Sequence, residues 1–120
     1  MANRQLIAAG NWKLNKTPAE TRSTILALRN KLAGVSTRAE VIVFPTFVCL
    51  ETAADAARDT VIKVGAQNVY WEPSGAFTGE VSTGMLETLG IARDTMLWFC
   101  GDNGPEGNDS APGRTRGRRG

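Results

Sequence analysis

The segment at residues 6–13 reads LIAAGNWK, and it indicates the fold of the chain. Its first four residues are apolar, which is typical of a parallel strand that is buried on both faces. Asn11 and Lys13 follow this apolar run. Because functional side chains in parallel α/β proteins gather at the carboxyl ends of the strands, Asn11 and Lys13 are candidate site residues.

Strand and helix patterns alternate over the first hundred residues. Apolar runs predict three further strands, at residues 41–44, 61–64 and 96–100. Helices are predicted between Thr17 and Gly34, at about residues 50–57 and at about residues 83–89. The first helix begins with Thr17, Pro18 and Glu20, which is the pattern of a capping box, and Gly34 supplies its end. This alternation predicts an α/β fold with right-handed crossovers and a parallel sheet.

The composition of the 120 residues excludes several classes of protein. Two cysteines, Cys49 and Cys100, form neither a disulfide framework nor a four-ligand zinc site, which favours a reducing compartment and a cytoplasmic location. No apolar run reaches the roughly 18 residues that a membrane span requires. The sequence has no histidine, so acid or base catalysis near neutral pH would require another side chain with a shifted pKa.

Residues 101–120 differ in composition from the rest of the chain. They contain six glycines, two prolines, four arginines and a single hydrophobic residue, Ala111. Such a segment buries too little apolar area to offset its chain entropy, and we predict that it is disordered. The arginines at residues 114–119 are typical of segments that contact RNA phosphates. Because no aromatic residues are interleaved with them, a solvated tail explains them better.

The polar side chains that follow the first and third strands have two interpretations. The Lys13 ammonium suits a phosphate or a developing oxyanion, with an attraction of roughly 4 kcal/mol at ~4 Å before desolvation is subtracted. The alternative is a solvated lysine at a strand end. Similarly, the amides of Gln67 and Asn68 either orient a ligand or satisfy main-chain groups of the loop.

The loop at residues 75–80 reads GAFTGE and is unusually apolar for a surface loop. Its glycines permit a protruding turn, and Phe77 and the nearby Trp71 supply aromatic surface. A protruding loop with an apolar tip is a candidate for insertion into a partner. The alternative is a loop that folds onto its own domain.

Four segments carry a resemblance to a known family. They read GNWKLN at residues 10–15, FPT at residues 44–46, GAQN at residues 65–68 and GAFTGEVS at residues 75–82. Together, in this order and at spacings consistent with strands, they resemble the N-terminal part of triosephosphate isomerase. The resemblance covers residue 4 to about residue 91 and is lost after about residue 92.

The resemblance implies a TIM barrel, that is, a (β/α)8 fold. Residues 1–100 would form its N-terminal portion, with about four of the eight strands, and residues 101–120 a tail outside the family pattern. It also implies a cytoplasmic homodimer that interconverts dihydroxyacetone phosphate and glyceraldehyde 3-phosphate in glycolysis and gluconeogenesis. Neither a metal nor an organic cofactor is implied.

The resemblance further assigns roles to individual residues. Asn11 matches a substrate-binding asparagine, and Lys13 matches a substrate-binding and catalytic lysine that stabilises the enediolate and the phosphate. Thr78 matches a residue that enters the neighbouring subunit's pocket. The loop around it would form the dimer interface and comprises Gly75, Ala76, Phe77, Thr78 and Gly79.

The sequence departs from the family pattern after the fourth predicted strand. Asp102 stands where triosephosphate isomerase has a neutral histidine electrophile, which acts with a glutamate base. An ionised carboxylate at this place would repel the enediolate. Since such barrels have about 250 residues, the base and the lid loop would lie in an absent second half. We therefore predict an inactive, truncated chain, produced by a shifted reading frame or a wrong splice near residues 93–95.

A second hypothesis is a non-catalytic interaction fragment. Four strands of an eight-stranded barrel leave two open edges and an uncovered apolar face, which predicts a chain prone to association. The fragment would pair with intact subunits through the loop at residues 75–79. Weak nucleic-acid binding through the arginine tail is the less favoured form of this hypothesis, and no membrane association is expected.

Overall fold

Three parallel strands form the sheet at the centre of the fold, and the computed structural model describes residues 4–36 and 38–91. The strands lie side by side in the order β1 (Leu6–Asn11), β2 (Ala39–Phe44) and β3 (Ile62–Val64). The helices are α1 (Pro18–Leu32), α2 (Leu50–Ala57) and α3 (Thr83–Thr88), and a 3-10 turn at Phe47–Cys49 precedes α2. The predicted α/β class and parallel sheet are confirmed.

Two of the sequence predictions lie outside the described residues. These are the fourth strand at residues 96–100 and the tail at residues 101–120, which includes Asp102 and the arginines.

The ends of α1 follow from local chemistry. Thr17 Oγ1 accepts a hydrogen bond from Glu20 N at 3.2 Å, and Glu20 Oε1 accepts one from Thr17 N at 2.9 Å. These two bonds form the predicted capping box and satisfy main-chain donors that the first helical turn leaves unpaired. At the other end, Gly34 has a φ of +77°, a left-handed conformation that glycine adopts without steric cost.

The strand register brings the carboxyl ends of the three strands to one edge of the sheet. Asn11 lies opposite Phe44, and Val43 lies opposite Val64. Gly65 N extends the pairing by donating to Val43 O at 2.9 Å. The loops that follow β1, β2 and β3 therefore leave the sheet close together, which is where parallel α/β proteins place their functional groups.

The core lies between the two longer helices and the inner strands. Ile25 of α1 and Leu50 of α2 are at most 1% exposed, and each stabilises the fold by roughly 1.5–3 kcal/mol through burial of its side chain. The residues buried with them come from α2, β2, β3 and α3 and from the segments that follow β3 and α3, and are Val43, Ala53, Ala56, Ala57, Ile62, Val64, Ala66, Leu86 and Ile91. Small alanines on α2 let this helix approach the sheet closely.

An exposed ion pair connects α1 to α2. Asp55 Oδ2 accepts a hydrogen bond from Arg22 Nη2 at 2.9 Å, and Asp55 Oδ1 accepts one from Arg58 Nη1 at 2.9 Å. The Arg22 hydrogen bond, followed by the charge of Arg58, lowers the pKa of Asp55 below its ordinary value. Since all three side chains are solvent-exposed, the network orients the helices more than it stabilises them.

One prediction about β1 is wrong. Its apolar run indicates a strand that is buried on both faces, but Leu6 is 51% exposed and Ile7 is 45% exposed. The physical reason is position, because β1 is the edge strand of this sheet and packs chiefly against β2. Within the described residues, no further strand pairs with its outer edge.

Hydrogen exchange of the main-chain amides tests the edge position of β1. In a strand that is paired on one side, alternate amides lack an inter-strand acceptor. We therefore expect alternating fast and slow exchange along residues 6–11, and slow exchange at consecutive residues 42–44 of β2, which has a neighbour on each side. The measurement is two-dimensional NMR on the monomer at low concentration. Uniformly slow exchange along β1 would contradict the described topology.

Candidate active site

The candidate residues after β1 and β3 lie together at the carboxyl edge of the sheet. Asn11 is the last residue of β1, Lys13 lies two residues beyond it, and Gln67 lies three residues beyond the end of β3. Gln67 Nε2 donates a hydrogen bond to Lys13 O at 2.8 Å across 54 residues of sequence. The structure thus brings Lys13 into direct contact with Gln67.

Asn11 holds the main chain of Lys13 in an uncommon conformation. Asn11 Oδ1 accepts a hydrogen bond from Lys13 N at 2.9 Å. Lys13 has a φ of +57°, in the left-handed region that costs a residue with a Cβ roughly 1–2 kcal/mol. Non-glycine residues held in this region cluster at functional sites, where the surrounding contacts maintain the strained conformation.

The hydrogen bonds of Gln67 and Asn68 decide between the two interpretations of these amides. Gln67 Nε2 donates both to Lys13 O and to Phe44 O, each at 2.8 Å. Asn68 Oδ1 accepts from Val69 N at 2.8 Å. Both side chains therefore satisfy main-chain groups of the loops. The sequence left this alternative open because the partners of Gln67 are distant along the chain.

Further contacts fix the loop that follows Lys13. Asn15 Nδ2 donates to Trp12 O at 2.8 Å, and the Lys16 ammonium lies 5.5 Å from the centre of the Trp12 ring. Lys16 is also left-handed, with a φ of +77°. The buried Cys49 thiol donates to Lys16 O at 3.3 Å. These contacts hold a short loop that contains two left-handed lysines. The sequence alone predicts no role for Asn15 or Cys49.

The exposed Lys13 side chain gives this edge a cationic group. An ammonium is a compact charge with three donors, which suits a phosphate or an oxygen that becomes anionic during a reaction. The side chain of Asn11, whose Oδ1 accepts from Lys13 N, adds a polar group at this edge that can orient a bound molecule. Chemically, the arrangement can bind a small phosphorylated or anionic ligand at the rim of the sheet.

The loop at residues 75–79 packs partly against its own segment. The Phe77 ring lies 4.6 Å from the Tyr70 ring, which in turn stacks on Trp71 at 4.2 Å between ring centres. Gly75 has a φ of +137°, and a Cβ at this position would lie 2.7 Å from the Phe77 ring. Trp71 nevertheless remains 77% exposed and Phe77 41% exposed. This region therefore presents aromatic surface beside the exposed Thr78.

The part of the chain that the structure describes contains neither a metal-ligand cluster nor a membrane-spanning helix. Across residues 4–36 and 38–91, no group of three or more His, Cys, Asp or Glu side chains is placed to hold a metal ion. No helix within these same ranges has the length and apolar character needed to span a membrane.

A family model and individual relatives among known proteins indicate the same family for this chain. The chain matches the family model described as triosephosphate isomerase over residues 6–94. It is 52% identical over 89 residues to the triosephosphate isomerase of Acetivibrio thermocellus, covering 74% of this chain and 35% of that protein. The corresponding enzyme of Solibacter usitatus is 48% identical over 90 residues, covering 75% of this chain and 36% of that protein. The chain spans about a third of the length of the curated relatives it matches.

A glycine beside the site provides a test of how tightly the edge of the sheet is packed. A Cβ on Gly65 would lie 2.4 Å from the ring of Phe44, which is 2% exposed. We expect Gly65→Ala to destabilise the chain by about 1–3 kcal/mol in a denaturant titration.

Gly84→Ala is the matched control. Gly84 lies in α3, and its nearest contact from a new Cβ is 3.9 Å away. Alanine is favoured over glycine in a helix by about 1 kcal/mol, so this variant should be at least as stable as the parent. Equal unfolding midpoints for the two alanine variants would contradict the close packing of Phe44 on Gly65.

Proposed function

Because the chain belongs to the triosephosphate isomerase family, we propose that Asn11 and Lys13 supply the substrate-binding part of a triose phosphate isomerase site. The reaction is the interconversion of dihydroxyacetone phosphate and glyceraldehyde 3-phosphate. The observation that carries the proposal is the left-handed Lys13, held by Asn11 and Gln67 at the carboxyl ends of the strands.

Lys13 would act through its positive charge. The substrate carries a phosphate throughout the reaction, and a further negative charge develops on a separate oxygen as the enediolate forms. An ammonium about 4 Å from such an oxygen attracts it by roughly 4 kcal/mol at an effective dielectric of 20, before the cost of desolvation. Attraction to the developing charge lowers the barrier, whereas attraction to the phosphate holds the substrate. Asn11 would help to orient the substrate while its Oδ1 keeps the Lys13 main chain in place.

Residues 1–120 alone would not complete this chemistry. Triosephosphate isomerase is known to use a neutral histidine as its electrophile together with a glutamate base. The 120 residues contain no histidine. A carboxylate cannot replace a neutral hydrogen-bond donor beside a developing enediolate unless burial raises its pKa enough to keep it protonated. We therefore propose that these residues contribute a phosphate-binding half-site and have no isomerase activity by themselves.

A chimera tests the proposed role of Lys13. In it, residues 4–91 of this chain replace the corresponding segment of the Acetivibrio thermocellus triosephosphate isomerase, which supplies the rest of that enzyme. We expect the chimera to be active and the 120-residue chain to show no turnover above background. Lys13→Met should lower the kcat/KM of the chimera by about 10²–10³-fold, because a charge that stabilises the transition state is lost.

Lys31→Met is the matched control for this experiment. Lys31 is an exposed lysine in the last turn of α1, distant from the candidate site in the fold. The same change of charge there should leave kcat/KM within a factor of two or so, since an exposed charge away from the site is largely screened. Equal losses in both variants, or an inactive chimera, would overturn the proposed role of Lys13.

We also propose that the loop at residues 75–79 contacts a second subunit. The observation that supports this proposal is the surface exposure of Phe77 and Thr78 in the loop and of the nearby Trp71. Aromatic side chains exposed together are typical of the buried centre of an interface. The assembly implied by the family resemblance is a homodimer.

The oligomeric state of the chimera tests this loop. Thr78→Arg places a long cation in the proposed interface, and we expect it to shift the protein from dimer to monomer in sedimentation velocity, because a buried unpaired charge is costly. Thr88→Arg makes the same change on the exposed side of α3 and should leave the dimer intact. A Thr78→Arg chimera that remains fully dimeric would contradict the contact.

A further inference from the structure

Both peptide groups of Lys13 are held by side chains, one from Asn11 at the end of β1 and one from Gln67 in the loop after β3. On one side, Asn11 Oδ1 accepts the hydrogen bond of Lys13 N at 2.9 Å. On the other, Gln67 Nε2 donates to Lys13 O at 2.8 Å. A left-handed conformation at a residue with a Cβ persists only where its surroundings maintain it. The two hydrogen bonds help to maintain it here.

The amide of Gln67 is itself fixed to the core. Its nitrogen also donates to Phe44 O at 2.8 Å, so the two bonds use both of its donor hydrogens. The Phe44 ring is buried against Gly65, and Trp12 N donates to the same Phe44 oxygen at 3.1 Å. The Gln67 side chain therefore connects the Lys13 carbonyl to the carbonyl of Phe44, whose ring is packed in the core.

We propose that Gln67 is a positioning residue that sets the place of the Lys13 ammonium in the reaction. This inference rests on the proposed function of Lys13. Without the Gln67 amide, two carbonyl oxygens lose their shared donor, and Lys13 is released to a right-handed or extended conformation. Its Cβ then points in another direction, and the ammonium moves away from the substrate oxygens. A displacement of about 1 Å at a reacting group can cost about 10²-fold in rate.

The chain contains a matched control at the opposite end of the same strands. Gln5 Nε2 also donates to two main-chain carbonyls, to Arg38 O at 2.8 Å and to Leu6 O at 3.3 Å. Gln5 thus makes the same kind of contact between the starts of β1 and β2 that Gln67 makes between their ends. Methionine has nearly the shape of glutamine but no amide, so it removes these hydrogen bonds at either site.

The experiment compares Gln67→Met with Gln5→Met in the chimera described above. We expect a drop of the thermal midpoint in both variants, since each loses two hydrogen bonds. Only Gln67→Met should lose activity, with a fall in kcat of about 10–100-fold. Equal kcat values for Gln67→Met and Gln5→Met would overturn the proposal, because Gln67 would then contribute only to stability.

The pH dependence of the activity of Gln67→Glu distinguishes a positioning role from a purely structural one, which would leave this dependence unchanged. An ionised carboxylate only accepts hydrogen bonds, whereas a protonated one donates a single bond. We expect the activity of this variant, relative to the unsubstituted chimera, to rise as the pH falls and the new carboxyl group becomes protonated. A ratio that is constant with pH would contradict the positioning role.

The main-chain conformation of Lys13 can be followed without any activity. In the 120-residue chain with labelled lysine, the Cα chemical shift reports the left-handed conformation. It should change in Gln67→Met and stay unchanged in Gln5→Met. An unchanged shift in Gln67→Met would overturn the proposal. An inactive chimera overturns the proposed function instead, and the chemical shift then still decides whether Gln67 places Lys13.

Discussion

The carbonyl oxygen of Phe44 is the point on which the arrangement of the site depends. It accepts one hydrogen bond from the main chain that follows β1 and another from the Gln67 side chain that follows β3. Three strand ends therefore meet at one acceptor. The oxygen has a fixed position because the Phe44 ring is buried in the core. The ring fits there because Gly65 has no Cβ. Close packing in the core thus determines the position of the polar groups at the rim.

The site stores a small amount of conformational strain. The left-handed conformation of Lys13 is unfavourable in isolation, and Lys16 repeats it three residues later. The hydrogen bonds from Asn11, Gln67 and Cys49 offset this cost. A charged side chain that is already in position stabilises a charge that develops during a reaction more effectively, because the side chain need not reorganise in the transition state. The strained loop is therefore consistent with a catalytic lysine and poorly explained by a solvated one.

Sequence reasoning succeeded where a structure depends on neighbours along the chain. The Thr17 to Glu20 capping box, the glycine after α1 and the alanine-rich α2 are local features, and each is present as predicted. Asn11 and Lys13 were found because parallel strands direct their carboxyl ends to one edge. The exposure of β1 was missed because it depends on which strands flank it. The role of Gln67 was missed because its partners lie 23 and 54 residues away.

The most direct test of the account is NMR observation of the Gln67 side-chain amide in the full chain. If its two hydrogens are bonded to Phe44 O and Lys13 O, both should exchange slowly with solvent. Scalar couplings through the hydrogen bonds should then connect Nε2 to the carbonyl carbons of both residues. Two fast-exchanging amide hydrogens with no coupling to either carbonyl would contradict the central claim that this side chain connects the loops at the carboxyl edge of the sheet.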